Sequence, residues 1–235
     1  MKLHRFYIDQ TVGNTHQIRI ASREIFKRVV DVVCLNPGDS FVIYDNSGYD
    51  YEIVIIGYDN FTILGNVVAR VKNEIKAVRN IYLFSSIIKK DNFEWIVQKA
   101  TEMGVMHIIP VLSQRSEKKN LIIERLQKIA VEASEQSGRG TIPEIHRIMK
   151  LDEAVEFIKD KKEILSIAFH TGGQKFKKEE VSENESIAVF IGPEGGWTDE
   201  EIAMFHKEKI AVRTLGPQIL RAETAVVAVL AQVVF

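Results

Sequence analysis

The hydrophobic positions of this chain change rhythm once. Up to about residue 70, apolar residues come in short β-rich runs closed by turn residues. Phe41–Tyr44 runs into Asp45-Asn46-Ser47-Gly48, and Tyr51–Ile56 and Phe61–Val71 flank Gly57-Tyr58-Asp59-Asn60. Asn36-Pro37-Gly38-Asp39 marks a further turn. Short strands at this spacing predict a small barrel. From about residue 73, strand-like runs alternate with helical periodicity. Ile81–Ile87, His107–Leu112, Ile164–Phe169, Ile187–Ile191 and Ile210–Leu215 read as strands, with Glu144–Ile148 as a short one. Between them, Phe93, Ile96, Val97, Ala100 and Met103 mark one helix, which Gly104 ends. Ile122, Leu126, Ile129 and Ala133 mark a second helix, and Ala154, Val155 and Ile158 a third. Such βα repeats predict a parallel sheet covered by helices. Gln174–Glu185 is the most polar segment and reads as an exposed, mobile loop.

One stretch concentrates the candidate chemistry. Ile187–Ile191 reads as a buried strand, and Gly192-Pro193-Glu194-Gly195-Gly196 follows as a turn with three glycines. A helix start comes next: Thr198 is placed to cap it, Glu201 completes a capping box, and Trp197 and Ile202 have the spacing of a hydrophobic staple. The loop is therefore pinned between a strand end and a helix start, where open α/β sheets bind ligands. A tight turn with no ligand has the same pattern. After the strand Ile210–Leu215, a second loop, Gly216-Pro217-Gln218-Ile219-Leu220-Arg221, leads into a small-residue apolar helix ending at Phe235. Two such loops, one strand apart, can face a single ligand.

Composition narrows the class. The 235 residues are 46% hydrophobic and 27% charged, with a net charge of −1, as in ordinary globular domains. No global basic character points to nucleic acid, although a local basic surface suffices for RNA. The single cysteine, Cys34, excludes an internal disulfide framework, fits a reducing cytoplasm and reads as a small core residue. No stretch is apolar enough to span a bilayer, and the N-terminus does not read as a signal peptide. The six histidines, at 4, 16, 107, 146, 170 and 206, show no metal-ligand spacing, so no metal site is expected.

The two loops, GPEGGWTDEE and LGPQILRAETA, resemble the C-terminal motifs of the SPOUT methyltransferases. More narrowly, the chain is similar to the RsmE-type enzymes, which methylate N3 of a uridine in 16S ribosomal RNA. The resemblance extends to HRFYI near the start, LNPGD at 35–39, IVQKATEMGV at 96–105, SQRS at 113–116 and EASEQSGR at 132–139. It implies a PUA-like RNA-binding β-barrel over residues 1–72 and a SPOUT domain over 73–235. That domain would carry a C-terminal trefoil knot, which periodicity alone would never suggest. It also implies S-adenosylmethionine as cofactor, small-subunit ribosomal RNA as substrate and a cytoplasmic homodimer. The family pattern carries a basic residue where Val33-Cys34-Leu35 stands here.

Residue roles follow by the same resemblance. The cofactor loops would be 169–173, 192–196 and 215–220. Their candidates are His170, Thr171, Ile191, Gly192, Pro193, Gly195, Gly196, Leu215, Gly216, Ile219, Leu220 and Thr224. Uridine N3 carries a proton, so the site needs a base or a cation that stabilises the uridine anion. Glu223 is the candidate proton acceptor, Arg221 the candidate cation, and Glu194 suits an orienting or basic role. Arg221 and Glu223 can equally pair with each other or support the helix start. RNA contacts are expected from Arg5, Arg19, Arg23, Lys27 and Arg28 in the first domain, and from Lys89, Arg115, Gln136 and Arg139 in the second. Three alternatives stay open. One is a SPOUT enzyme with another target atom, and one is a non-catalytic RNA-binding protein. The third is a phosphate-binding enzyme, against which the lack of a following Lys-Ser/Thr counts.

Overall fold

The computed structural model describes residues 3–75, 78–116, 121–161 and 163–235. The chain divides into two compact units, Met1–Lys76 with Ser134–Ile142, and Ala77–Ala133 with Pro143–Phe235.

The first unit is built on a five-stranded sheet. Its strands are β1 (Arg5–Tyr7), β2 (Gln17–Ile20), β3 (Ser40–Tyr44), β4 (Tyr49–Asp59) and β5 (Thr62–Lys72), in the order β1-β3-β4-β5-β2. A short helix, α1 (Arg23–Phe26), is capped by the Ser22 hydroxyl and continues as a wider helical turn over Lys27–Val32. Alternate residues of the strands point to one face. There Phe41, Ile43, Tyr51, Ile53, Ile55 and Ile63 form a core with Phe6, Ile18, Ile25 and Val29.

Two expectations change in this unit. Gly57-Tyr58-Asp59 lies within β4, where the register shifts between Ile55 and Gly57. The hairpin turn is Asn60-Phe61, both at positive φ (43° and 62°), between the paired Asp59 and Thr62. Two left-handed residues match the twist of a two-residue hairpin. Cys34 is exposed rather than buried. It adopts φ 60° after the wide helical turn, which directs its side chain outward.

The second unit is a parallel sheet of β6 (Asn80–Ser86), β7 (His107–Leu112), β8 (Glu144–Ile145), β10 (Leu165–Lys175), β11 (Ser186–Ile191) and β12 (Ala211–Thr214). The order is β12-β10-β11-β6-β7-β8, and β9 (Met149–Lys150) also pairs with β7. Helices α2 (Lys90–Glu102), α3 (Ile123–Ser137), α4 (Leu151–Lys159), α5 (Asp199–Lys207) and α6 (Ala222–Val234) complete the chain. One face of the sheet presents Tyr82, Phe84, Ile109, Val111, Ala188 and Phe190 to Ala154, Val155 and Ile158 of α4 and Phe205 of α5. α2 packs against α6. No helix among the described residues is long and apolar enough to cross a membrane.

The segment after β10 is more ordered than its polarity suggests. Phe176 and Val181 are buried, and Lys178–Val181 forms a helical turn. Those two apolar residues anchor an otherwise charged loop, which a count of polar positions conceals.

Candidate functional site

Three neighbouring strands of the second unit border one cleft. β10 lies between β12 and β11, so the loops after β11 and β12 flank it on either side. β10 itself is interrupted. Phe169 and Gln174 both pair with Arg213, so the four residues His170–Gly173 bow out of the ladder. The expected 169–173 loop is therefore a bulge inside a strand. Gly173 permits it, since a Cβ there would lie 2.6 Å from the Arg213 carbonyl carbon.

The cleft encloses about 640 Å³, part of it open to solvent. Of the expected cofactor residues, His170, Thr171, Ile191, Gly192, Pro193, Gly196, Leu215, Gly216, Ile219 and Leu220 line it. Gly195 and Thr224 do not. Phe169, Thr214, Gln218, Ala222 and Ala225 line it as well. Phe169 and Gln218 belong to the expected loops, and Ala222 and Ala225 to the LGPQILRAETA motif, although none was singled out; Thr214, at the end of β12, lies outside both and is brought in by the strand order.

The loops are held by specific hydrogen bonds. The Trp197 indole donates to the Phe169 carbonyl at 3.1 Å. The Thr198 hydroxyl accepts from the Glu201 amide, and the Thr198 amide donates to a Glu201 carboxylate oxygen at 2.9 Å, closing the expected capping box. The other Glu201 oxygen accepts from the Gln114 amide at 2.9 Å, tying in the loop after β7. Trp197 and Ile202 both pack into the core beneath, as a staple requires. Arg115, expected to contact RNA, donates to the Gly195 carbonyl at 2.6 Å and lies along that loop. The Thr214 hydroxyl donates to the Gly216 carbonyl at 3.0 Å and shapes the loop after β12.

The three candidate catalytic residues occupy different positions. Glu194 lines the cleft and is exposed. Arg221 stands exposed at the start of α6. Glu223, in the first turn of α6, accepts from the Asn92 amide of α2 at 3.4 Å, and its other carboxylate oxygen is buried without a hydrogen-bond partner. Neither Arg221 nor Glu223 lines the cleft, and among the described residues the two form no ion pair with each other.

The expected RNA contacts divide in the same way. In the first unit Arg19, Arg23 and Lys27 are exposed at the surface. Arg19 reaches Asp59 at 3.6 Å, and Arg23 lies over the Phe61 ring. Arg5 is instead engaged with Asp50, through two bonds of 2.6 and 3.1 Å, and lies 3.8 Å over the Tyr44 ring. Arg28 forks onto both oxygens of Glu135, a carboxylate that is only 3% exposed. Arg139 is 3% exposed, and burial pushes its guanidinium down to about 10. Arg5 and Arg139 hold structure rather than face solvent, whereas Arg28 is pinned to Glu135 with a third of its side chain still exposed; the partners of Arg5 and Arg28 lie far away in sequence. Gln136 lies at the surface of the first unit, and Lys89 at that of the second.

The histidines also depart from expectation. His107, Glu144 and His146 converge, their ligand atoms within 4.8 Å of one another. The pairing of β7 with β8, which sets His107 opposite Glu144, brings them together, beyond the reach of any spacing rule.

Residues 75–234 match the family model described as RNA methyltransferase domain. A Rickettsia conorii protein named ribosomal RNA small subunit methyltransferase E is 29% identical over 247 aligned residues, covering 99% of this chain and 96% of that protein. The Bacillus subtilis protein of the same name is 27% identical, covering 95% and 93%. Among solved structures, ribosomal RNA small subunit methyltransferase E from Neisseria gonorrhoeae, bound to S-adenosyl methionine, is similar with a TM-score of 0.86. It is 26% identical, with 97% of this chain and 95% of that chain covered.

Proposed function

Because the chain belongs to the RNA methyltransferase domain family, we propose that it uses S-adenosylmethionine to methylate N3 of a uridine in 16S ribosomal RNA of the small subunit. The observation that carries this function is the cleft formed by the bulge in β10 and the ends of β11 and β12, with relatives matched over nearly all of both chains named for that substrate class.

The residues present fit the cofactor. Leu215, Ile219 and Leu220 offer apolar walls for an adenine ring, and the loops expose main-chain groups for its edge. Gly192 lets the main chain of the loop lie close against the Trp197 indole, where a Cβ would come within 3.2 Å of the ring. When bound, S-adenosylmethionine supplies an electrophilic methyl group on a sulfonium. The chain's own residues then position the uridine and remove its N3 proton. Glu194, on the cleft wall, is the best-placed acceptor. Arg221, exposed at the start of α6, supplies positive charge for the uridine oxygens as the proton leaves. Glu223, turned to Asn92, acts as a positioning group for α6. N3 lies on the Watson–Crick edge, so the base must be unpaired or flipped.

The rest of the chain takes matching roles. Residues 1–72 serve as a PUA-like barrel that docks RNA through Arg19, Arg23 and Lys27, and residues 73–235 as the SPOUT domain with its trefoil knot. Lys89 and Arg115 add contacts near the reacting base, and Gln136 adds an RNA contact on the first unit. The chain works as a cytoplasmic homodimer. Ile219 and Phe235, 85% and 74% exposed, supply apolar surface for the cofactor and a second subunit to cover.

The test is a methyl-transfer assay with small ribosomal subunits lacking the modification, followed by digestion to nucleosides and mass spectrometry. 3-Methyluridine is the expected product. Another methylated nucleoside would remove the target and keep the class. Cofactor binding without transfer would favour a non-catalytic RNA-binding role.

A further inference from the structure

The cleft leaves one cluster of donors unused. The His107 Nδ1 lies 3.2 Å from the His146 Nε2 and 3.3 Å from a Glu144 carboxylate oxygen, and that oxygen is 3.5 Å from the His146 Nε2. The three atoms thus form a nearly equilateral triangle. Zinc holds such ligands at about 2.0–2.1 Å, so two corners of a tetrahedral site lie about 3.3–3.4 Å apart. We propose that His107, Glu144 and His146 form a zinc site with three protein ligands and a fourth position open to water.

The surroundings suit that role. The His107 ring stacks on Tyr82, with centroids 4.1 Å apart and planes at 9°, and the His146 ring meets Phe157 edge-on at 5.5 Å. Both imidazoles are therefore held in place before an ion arrives. Glu144 is 62% exposed on its side chain, against 23% for His107 and 12% for His146, so the site opens on the carboxylate side. Burial lowers the pKa of both histidines, and Lys161, over the Tyr82 and Phe157 rings, adds to the effect. The Lys161 charge also opposes a bound cation, which the Glu144 carboxylate offsets.

The location makes the site a staple. His107 opens β7 and Glu144 opens the two-residue strand β8, whereas the cleft lies at the bulge of β10 and the ends of β11 and β12. An ion here would cross-link the edge strand to its neighbour. Zinc binding at this place does not depend on the methyl-transfer activity.

Full-length protein stripped with a chelator and then dialysed against buffered zinc tests it by metal analysis. One zinc per chain is expected, held at least about tenfold more weakly by His146→Ala and Glu144→Gln. His206→Ala, on the exposed side of α5, serves as the control and binds like the parent. Zinc at a hundredfold excess over Kd is expected to raise Tm by about 5 °C or more, and Glu144→Gln to cut that rise by about half or more at the same zinc concentration. Glu144→Gln keeps the shape of an exposed side chain, so it reports on binding even where His146→Ala fails to fold. No zinc retained, or equal retention by Glu144→Gln, would overturn the site.

Discussion

The Trp197 indole N–H donates to the carbonyl of Phe169 at 3.1 Å, joining the Gly-rich loop after β11 to the bulge in β10. Both residues are buried, so the bond is shielded from water and leaves the Phe169 carbonyl no easy substitute. Trp197→Phe keeps much of the packing and removes the donor. An unsatisfied buried acceptor costs about 1–3 kcal/mol. S-Adenosylmethionine affinity is expected to fall about tenfold, measured by calorimetry, with the fold retained.

Gly192 sits against the same indole. A Cβ there would lie 3.2 Å from the Trp197 ring, tight enough to push either the loop or the ring. Gly192→Ala is expected to weaken cofactor binding by at least tenfold while shifting Tm little. A loss of stability without a loss of affinity would place the Gly192 requirement in folding instead.

Glu194 and Glu223 are separable by kinetics. Removing a general base typically costs about 10²–10⁴ in rate. Glu194→Gln is expected to lower kcat by that factor with cofactor Kd within about twofold. Glu223→Gln keeps the shape that accepts from Asn92 and is expected to leave kcat within about tenfold. The reverse result would exchange the two roles.

Glu135 is a structural carboxylate of the first unit. It accepts from both terminal nitrogens of Arg28 and from the Tyr7 amide at 2.8 Å while only 3% exposed. Removing one partner of a buried pair costs about 3–5 kcal/mol. Glu135→Ala is expected to lower Tm by about 6 °C or more, at roughly 2–4 °C per kcal/mol for a chain of this size. Calorimetry or chemical denaturation checks it.

The arginines and lysine of the first unit divide into two groups by what they touch. Arg23→Glu and Lys27→Glu are expected to weaken RNA binding and flatten its salt dependence, since each phosphate contact contributes about 0.9 to the logarithmic slope on a duplex. Arg5→Ala is expected to lower stability first, because it breaks the fork onto Asp50. Filter binding across a salt series, alongside Tm, separates the two effects.

Much of the fold follows from local spacing. The runs at 81–87, 107–112 and 187–191 are strands within a residue or so, and the capping box of Thr198 and Glu201 forms as read. These features depend on neighbours in the chain: alternation, helical period and the geometry of a helix start. Within each loop the candidate cofactor residues are neighbours in the chain, and ten of the twelve line one cleft. What lay beyond local reach was decided by pairing and burial. Placing β10 between β12 and β11 brings three loops together and bows out His170–Gly173. The pairing of β7 with β8 gathers His107, Glu144 and His146, partners distant in sequence engage Arg5 and Arg28, and burial takes Arg139 out of solvent. A side chain's type is written in the sequence, but its exposure and its partners come from contacts across tens of residues, which strand register and packing set.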